Sequence, residues 1–353
     1  MNGSTFGLTF RLTTFGESHG AGLGGIVDGC PAGIALSEGT IQAELDRRKP
    51  GAGPASSARK EEDTVRLWSG IFEGRTTGTA IGFTIENRDQ RPRDYSRIKD
   101  LFRPGHADFS YQAKFGRRDY RGGGRASGRE TVSRVAGGAV ALAFLRTVGI
   151  GVAAFAAELG GVAARPVDVG GAQDRPFFCP DPEAVAAFEA RVKEARGQGD
   201  SLGGVVEVRA SGVPAGLGEP VFDKLDARIA YALMGVGAVK AVEIGAGTAA
   251  ARLLGSQNND PITPEGFESN NAGGILGGVS SGQEIVARAY VKPIPSIARP
   301  QKTVDVHGQA ATIEVGGRHD VSAIPRIVPV LKAMMALTLA DMVLLDRRLS
   351  RPR

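Results

Sequence analysis

Two of the four histidines in this sequence lie in settings that favour proton transfer. His19 is found in FGESHG and His106 in FRPGHADF, so each has a small neighbour that leaves room for a ligand. The candidate orienting groups are Glu17 and Ser18 for His19, and Arg103 and Asp108 for His106. The simpler alternative is that both are surface or structural histidines. A metal site is not expected, because the sequence has no His-x-x-x-His or Cys-x-x-Cys pair.

The stretch RDYRGGGRASGRET, residues 118–131, sets four arginines around three consecutive glycines. Arginine binds phosphate and carboxylate in a bidentate manner, and glycine allows backbone N–H groups to approach an oxyanion. Ser127 precedes a helical pattern, and free amides at a helix start also favour an anion. The pattern indicates a small-anion site. A solvated surface loop and an RGG-type RNA-binding segment are the alternatives, although true RGG tracts are repetitive.

Three further segments carry polar or glycine-rich patterns. In GGRHDVSAIPR, Arg318 next to Asp320 would keep that carboxylate ionised as a base or as a partner of another group, or the segment is a salt-bridged turn. SNNAGGILGGVSSGQEI, residues 269–285, forms either a backbone cradle for a cofactor or tight turns between strands. Residues 20–25 match GxGxxG, but no strand–turn–helix context is predicted there, which argues against a Rossmann site.

Composition limits the function classes. Glycine contributes 51 of 353 residues, about twice its usual share, which predicts many tight turns. The net charge of +5 is too small to indicate nucleic acid, although residues 88–134 carry a local excess of seven positive charges. Cys30 and Cys179 are far apart in sequence and suit a reducing cytoplasm. We expect no secretory leader and no membrane span, and the apolar segment near residues 328–345 is predicted to be a buried helix.

Hydrophobic periodicity predicts the elements that must position these groups. Helices are expected near 37–48, 130–147, 182–196, 222–235 and 324–346, with Asp223 as the N-cap of the fourth. Strands are expected near 5–15, 80–87, 204–213, 238–245, 284–292 and 311–317. Because strands and helices do not alternate, an α+β or layered mixed architecture is favoured over a doubly wound sheet. The chain is predicted to form one large domain over residues 1–353.

Taken together, these segments resemble the chorismate synthase family nearly end to end. FGESHG, DRRKPG, FRPGHADF, the 118–131 stretch, SNNAGGILGGVSSG, KPIPSI and GGRHDV occur in that family's order. The resemblance implies conversion of 5-enolpyruvylshikimate 3-phosphate to chorismate and phosphate by a 1,4-elimination that needs reduced FMN without net redox change. It names NADPH as one candidate reductant. The sequence has Lys49 and Pro54 where the family usually has arginines.

The resemblance also implies roles for individual residues. His19 would protonate the departing phosphate, His106 would protonate or stabilise the reduced flavin, and Asp320 would help to relay the substrate proton. The implied substrate-binding residues are Arg48, Arg129, Arg134 and Arg326. The implied FMN-binding residues are Arg125, Ala126, Ser127, Gly237, Ala238, Gly277, Lys292, Pro293, Ile294, Pro295, Ser296 and Arg318. A β-α-β sandwich fold and a homotetramer are implied as well.

Overall fold

The computed structural model describes residues 3–49, 55, 62–88, 98–315 and 319–349. The helices are α1 (Glu38–Arg48), α2 (Asp108–Phe115), α3 (Thr131–Thr147), α4 (Val185–Gly197), α5 (Leu225–Met234), α6 (Gly255–Asn258) and α7 (Ile324–Leu349). The strands are β1 (Thr5–Phe6), β2 (Arg11–Gly16), β3 (Gly22–Asp28), β4 (Val65–Leu67), β5 (Ile71–Phe72), β6 (Arg75–Thr76), β7 (Ile81–Glu86), β8 (Gly151–Leu159), β9 (Val162–Ala163), β10 (Gly204–Ser211), β11 (Val239–Ile244), β12 (Ile262–Thr263), β13 (Gly266–Phe267), β14 (Ile275–Leu276), β15 (Val279–Ser280), β16 (Ile285–Val291), β17 (Gln301–Val304) and β18 (Ala310–Ile313).

Two five-stranded antiparallel sheets form the outer layers. The first has the strand order β1-β2-β3-β7-β4, and the second has the order β11-β16-β10-β8-β9. The second sheet brings together strands far apart in sequence, because β10 pairs with β8 on one side and with β16 on the other. The alternating burial of β7 and β16 shows that each sheet turns one face towards the middle of the molecule.

The middle layer consists mainly of α3 and α7, which pack against each other. α3 also contacts β3, and α7 contacts β8 and β10, so the helices separate the two sheets. Fourteen of the seventeen residues of α3 are buried, as expected of a helix enclosed on all sides. A Cβ atom at Gly138 would lie 2.7 Å from the Cα atom of Ala333, so glycine allows the close contact of α3 with α7. This arrangement is the β-α-β sandwich and α+β class that the sequence predicted.

The five predicted helices are confirmed to within a few residues. α1 begins after Ser37, whose hydroxyl accepts from the backbone N–H of Thr40. α5 buries Leu225, Ile229 and Leu233 on one face, but the predicted Asp223 cap is wrong. That carboxylate pairs with Arg228 instead, and α5 begins after Lys224 without a side-chain cap.

The sequence did not predict α2, β3 or β8. β3 contains residues 22–25 of the GxGxxG match, and its glycines allow this central strand to pass close to its neighbours. The match therefore lies in and before an antiparallel strand, which is not a Rossmann site. α7 is the apolar C-terminal helix. It includes 18 consecutive residues with a mean hydropathy of 1.9, which is long and apolar enough to cross a membrane, but 89% of those residues are buried inside the protein. The prediction of a buried helix is confirmed.

Candidate functional site

A cavity of about 820 Å³ lies beside α3 and receives most of the residues singled out from the sequence. Its walls come from the turn after β2, the end of α1, the ends of β4 and β7, the 103–107 and 122–134 segments, residues 235–238 and 292–296, and the start of α7. Nine Arg and Lys side chains and five carboxylates line it among the described residues. The excess of positive charge suits a ligand with several negative groups.

The three consecutive glycines form the loop between the two candidate catalytic histidines. Gly122, Gly123 and Gly124 all have positive φ, at 68°, 92° and 54°. A Cβ atom at Gly122 would lie 2.5 Å from Nδ1 of His19, and one at Gly123 would lie 2.5 Å from Cε1 of His106. Glycine is therefore required here both by the left-handed backbone and by the two imidazole rings. Each ring packs directly against the loop.

His19 is buried at the cavity wall in the turn after β2. The backbone N–H of Gly20 donates to the carbonyl of Glu17 at 3.1 Å and closes the turn. The side-chain amide of Asn87, at the end of β7, donates to the carbonyls of Glu17 and Gly20 at 3.0 and 2.9 Å. Asn87 also accepts from Nε of Arg129 at 3.0 Å. Asn87 thus links the turn that carries His19 to Arg129 in the same cavity. The sequence analysis did not single out Asn87.

His106 lies directly before α2 and is held by two charged neighbours. Its Nδ1 atom is 3.1 Å from Oδ1 of Asp108 and 3.2 Å from Nη2 of Arg103. Arg103 and Asp108 form a bidentate ion pair at 2.8 and 2.9 Å. Burial raises the pKa of Asp108, but hydrogen bonds from Arg103 and His106 outweigh burial and hold that pKa well below its usual range. The predicted orienting groups of His106 are confirmed as its contacts.

Asp63 is a buried carboxylate that organises two of the predicted substrate-binding arginines. It accepts from Nη1 of Arg48 at 3.0 Å and also pairs with Arg129. Burial raises its pKa, but attraction to the two guanidinium groups is larger and keeps that pKa below its usual value. Arg48 also donates to the hydroxyl of Thr131 and the carbonyl of Gly128 at 3.1 and 3.2 Å. Arg48 therefore fixes the turn that carries Arg129.

Arg134 and Arg326 complete the group of predicted substrate-binding residues in the cavity. Arg134 pairs with Glu130 at 3.0 Å, and Arg326 pairs with Asp320 at 3.0 Å. Asp320 lies just before α7 and Arg326 lies in its first turn, and both line the cavity. The structure pairs Asp320 with Arg326, whereas Arg318, the predicted partner of that carboxylate, lies outside the described residues. The predicted Arg318 contact therefore stays a prediction.

The wall formed by residues 235–238 and 292–296 contains six of the twelve residues predicted to bind FMN. The backbone N–H of Lys292 donates to the carbonyl of Ala238 at 2.9 Å, which joins the two segments. Burial, followed by repulsion from Lys240, lowers the pKa of Lys292. Its ammonium group donates to the carbonyl of Gly105 at 2.5 Å, so this wall touches the loop that carries His106.

Arg125, Ala126 and Ser127 face the same cavity. Arg125 donates to the hydroxyl of Thr14 at 2.6 Å and to the carbonyl of Gly16 at 3.3 Å, which fixes its guanidinium against β2. Ser127 begins the short 3-10 turn before α3, and its hydroxyl accepts from the backbone N–H of Arg129 at 3.3 Å. The predicted position of Ser127 at a helix start is confirmed, and its contact with a bound anion stays a prediction.

Two predicted FMN-binding residues are not brought to the cavity wall, and a third is not among the described residues. Pro293 lies between two lining residues without lining the cavity itself, and Gly277 lies in the turn between β14 and β15. Arg318 lies outside the described residues. The 269–274 segment forms tight turns rather than a cradle at this cavity, since Asn270 bonds the backbone of Gly274 and Asp260 accepts from the following amides.

Arg118 and Arg121, the first two arginines of the 118–131 stretch, have structural contacts. Arg118 donates to the carbonyls of Lys99 and Leu101 and lies 3.5 Å from Asp108. Arg121 pairs with Asp119 on the exposed side of the loop. Lys49 pairs with Asp46 at 2.6 Å, whereas Pro54 lies outside the described residues.

Comparisons with known proteins agree in naming one family. The family model described as chorismate synthase matches residues 10–344. The chain is 69% identical over 354 residues to a chorismate synthase of Oleidesulfovibrio alaskensis and 67% identical over 353 residues to one of Nitratidesulfovibrio vulgaris, with 100% of each chain covered in both cases. A crystal structure of a chorismate synthase superposes with a TM-score of 0.77 at 34% identity, covering 98% of this chain and 94% of the other.

Proposed function

The chain belongs to the chorismate synthase family, and from that premise we propose that it converts 5-enolpyruvylshikimate 3-phosphate to chorismate and phosphate by an anti 1,4-elimination that requires reduced FMN. The family acts at the last step of the shikimate pathway, which leads to the aromatic amino acids. The observation that best supports the detailed reaction is the placement of two histidines against consecutive glycines, in one cavity with the four predicted substrate-binding arginines.

The arginines suit the charges of this substrate, which has one phosphate and two carboxylate groups. Arg129, Arg134 and Arg326 line the cavity and present guanidinium groups, which bind such anions in a bidentate manner. Asp63 holds Arg48 and Arg129 in fixed positions before the ligand arrives. Preorganised cations do not have to rearrange when phosphate leaves, so they stabilise the charge that develops on it.

The two histidines are proposed to act on opposite sides of the reacting ring. His19, in the turn linked to Arg129 through Asn87, would donate a proton to the departing phosphate. His106, in contact with the 292–296 wall through Gly105, would hold a proton on the cofactor side. Asp320, paired with Arg326 at 3.0 Å, would help to relay the substrate proton through its carboxylate.

The residues of the second wall fit a flavin mononucleotide. Arg125 and Lys292 are partly buried cations suited to its phosphate or its electron-rich ring edge, and Ala126, Ser127 and Ala238 line the same cavity. Reduced FMN, when bound, supplies electron density for breaking the unactivated C–H bond and the C–O bond. The protein's contribution is to bind both ligands, orient them and exclude water.

The proposed reaction is tested by anaerobic incubation of the purified protein with photoreduced FMN and 5-enolpyruvylshikimate 3-phosphate. We expect chorismate, followed by its absorbance, and inorganic phosphate in equal amounts. The sample must first be shown to be folded by circular dichroism and to bind FMN. Absence of both products from such a sample would overturn the proposed reaction. A parallel aerobic assay with FMN and NADPH, without added reductase, tests NADPH as the reductant.

Two other functions were weighed from the sequence. An RNA-binding protein would expose its basic region, but Arg103, Arg118 and Arg129 in the described part of that region are buried in ion pairs. A net flavin oxidoreductase would consume reduced FMN in proportion to product. Measuring the flavin's oxidation state over many turnovers separates that function from the proposed one.

We also propose a homotetramer in the cytoplasm. Large apolar side chains are exposed in the single chain, among them Val221, Phe222, Leu254 and Ile262, and burial against further copies would remove this surface from water. Light scattering after size-exclusion chromatography should give four times the 36.7 kDa chain mass. Cell fractionation tests the location, which the two free thiols Cys30 and Cys179 suit.

A further inference from the structure

Asp108, the first residue of α2, makes an unusual number of contacts for one carboxylate. Its side chain is 2% exposed and accepts from the backbone N–H, Nε and Nη2 of Arg103 at 3.1, 2.8 and 2.9 Å. Nη1 of Arg118 lies 3.5 Å away. The remaining contact is with Nδ1 of His106, at 3.1 Å from Oδ1. The carboxylate is thus fixed from several directions and presents Oδ1 to the imidazole.

The charged groups around His106 explain why its contact with Asp108 matters for a positively charged imidazole. Nη2 of Arg103 lies 3.2 Å from Nδ1 of His106, Arg118 packs beside Asp108, and the ammonium of Lys292 donates to the carbonyl of Gly105 next to the histidine. These cations oppose a positive charge on the imidazole. The glycine loop on the other side of the ring contributes no side chain. The Asp108 carboxylate is the negative group that contacts the ring, so it favours the charged form.

We propose that Asp108 is the positioning residue of His106: its Oδ1 accepts the Nδ1 proton of the imidazolium and directs Nε2 towards the proton-transfer chemistry. This inference rests on the proposed function in giving His106 a proton to hold during turnover. It adds a residue that touches neither ligand and that acts through the histidine. Arg103 takes part by fixing both carboxylate oxygens in a bidentate pair.

The isosteric variant Asp108→Asn separates these effects. Oδ2 receives two donors from Arg103, so the amide oxygen of Asn would occupy that position and its NH₂ group would face Nδ1 of His106. The imidazolium would then lose its acceptor and its counter-charge. We expect the hydrogen-bonded Nδ1 proton of His106 to be lost and kcat to fall about 100-fold, with KM changed less than threefold.

The first test is a ¹⁵N and ¹³C NMR titration of the four histidines in the wild-type protein, without substrate or flavin. We expect a hydrogen-bonded Nδ1 proton on His106 in its charged form, assigned by its loss in His106→Asn. The matched control is Asp223→Asn, which breaks another bidentate Asp–Arg pair, with Arg228, away from the cavity. That variant should leave the His106 titration and kcat unchanged.

In the charged form of wild-type His106, an Nδ1 proton that exchanges rapidly with water and lacks the downfield shift of a hydrogen bond would overturn the inference, even if Asp108→Asn did not fold. The same hydrogen-bonded Nδ1 signal, unchanged in folded Asp108→Asn, would overturn it as well. Both results are obtained without turnover, so they are independent of the proposed reaction. Conversely, a wild-type protein that binds FMN but makes no chorismate would overturn the reaction and leave the NMR test standing.

Discussion

Replacing Gly122 by alanine should move His19 without unfolding the protein. The added Cβ would lie 2.5 Å from Nδ1 of the imidazole, whereas ordinary van der Waals contact begins at 3.4 Å. The ring must therefore retreat by about 1 Å, and a displacement of that size at a reacting group costs on the order of 100-fold in rate. We expect kcat to fall about 100-fold in Gly122→Ala.

The backbone cost of this change can be measured separately. Gly122 has φ of 68°, and an alanine in the left-handed region costs about 1–2 kcal/mol. Gly116, which ends α2, has φ of 67°, but a Cβ there would meet no atom within 4 Å. Gly116→Ala is thus a control with the same backbone strain and no contact with either histidine.

The assay is steady-state chorismate formation with reduced FMN, together with urea unfolding of both variants at pH 7. Both variants should lose about 1–2 kcal/mol of unfolding free energy. Gly116→Ala should keep kcat within threefold of the wild-type value. Equal losses of kcat in the two variants, or full activity in Gly122→Ala, would refute the claim that this glycine is needed to seat His19.

Three further predictions concern buried ionisable groups. Asp63→Asn leaves two buried guanidinium groups without their carboxylate, so the unfolding free energy at pH 7 should fall by about 3 kcal/mol. The pKa of Asp63 is lowered in the folded state, so the stabilisation by this carboxylate is present above its ordinary pKa of 3.8 and is lost as the pH falls further. Urea unfolding should therefore show the difference between wild type and variant shrinking below that pH. Glu44→Gln removes the charged partner of Lys332, a lysine whose pKa is lowered by burial, and should reduce the unfolding free energy by about 3 kcal/mol. Adding Lys332→Met should restore most of that loss. An unfolding free energy that Glu44→Gln leaves unchanged would contradict this. Burial raises the pKa of Cys30 to about 12 and also raises that of Cys179, so neither thiol should react with a disulfide reagent at pH 8 until urea is added.

Hydrophobic periodicity predicted the helices well. α3 and α7 have long apolar sequences, and such sequences predict a helix that is buried along its length. β3 and β8 were missed for physical reasons. The glycines of β3 weaken its strand signal, and the alanines of β8 carry no preference for a strand. Both segments become strands because β3 pairs with β7 and β8 pairs with β10. The order of strands in the second sheet depends on contacts between distant segments.

The chemistry-bearing residues of the site were found from their local patterns and from the family resemblance. Asp63 and Asn87 were not, because a lone Asp or Asn carries no local signal of its long-range partner. Asp63 pairs with Arg129 across 66 residues, and Asn87 bonds the same arginine across 42. The glycines were expected to bring backbone towards an anion, and the structure adds that they make room for two imidazole rings.

The central claim is that this cavity carries out an elimination with no net redox change. The most direct measurement is the visible spectrum of FMN, recorded anaerobically while chorismate accumulates to at least 50 times the amount of flavin. We expect the flavin to remain reduced at the end, with chorismate and phosphate formed in equal amounts. Oxidation of one FMN for each product molecule, or phosphate release without chorismate, would contradict the claim.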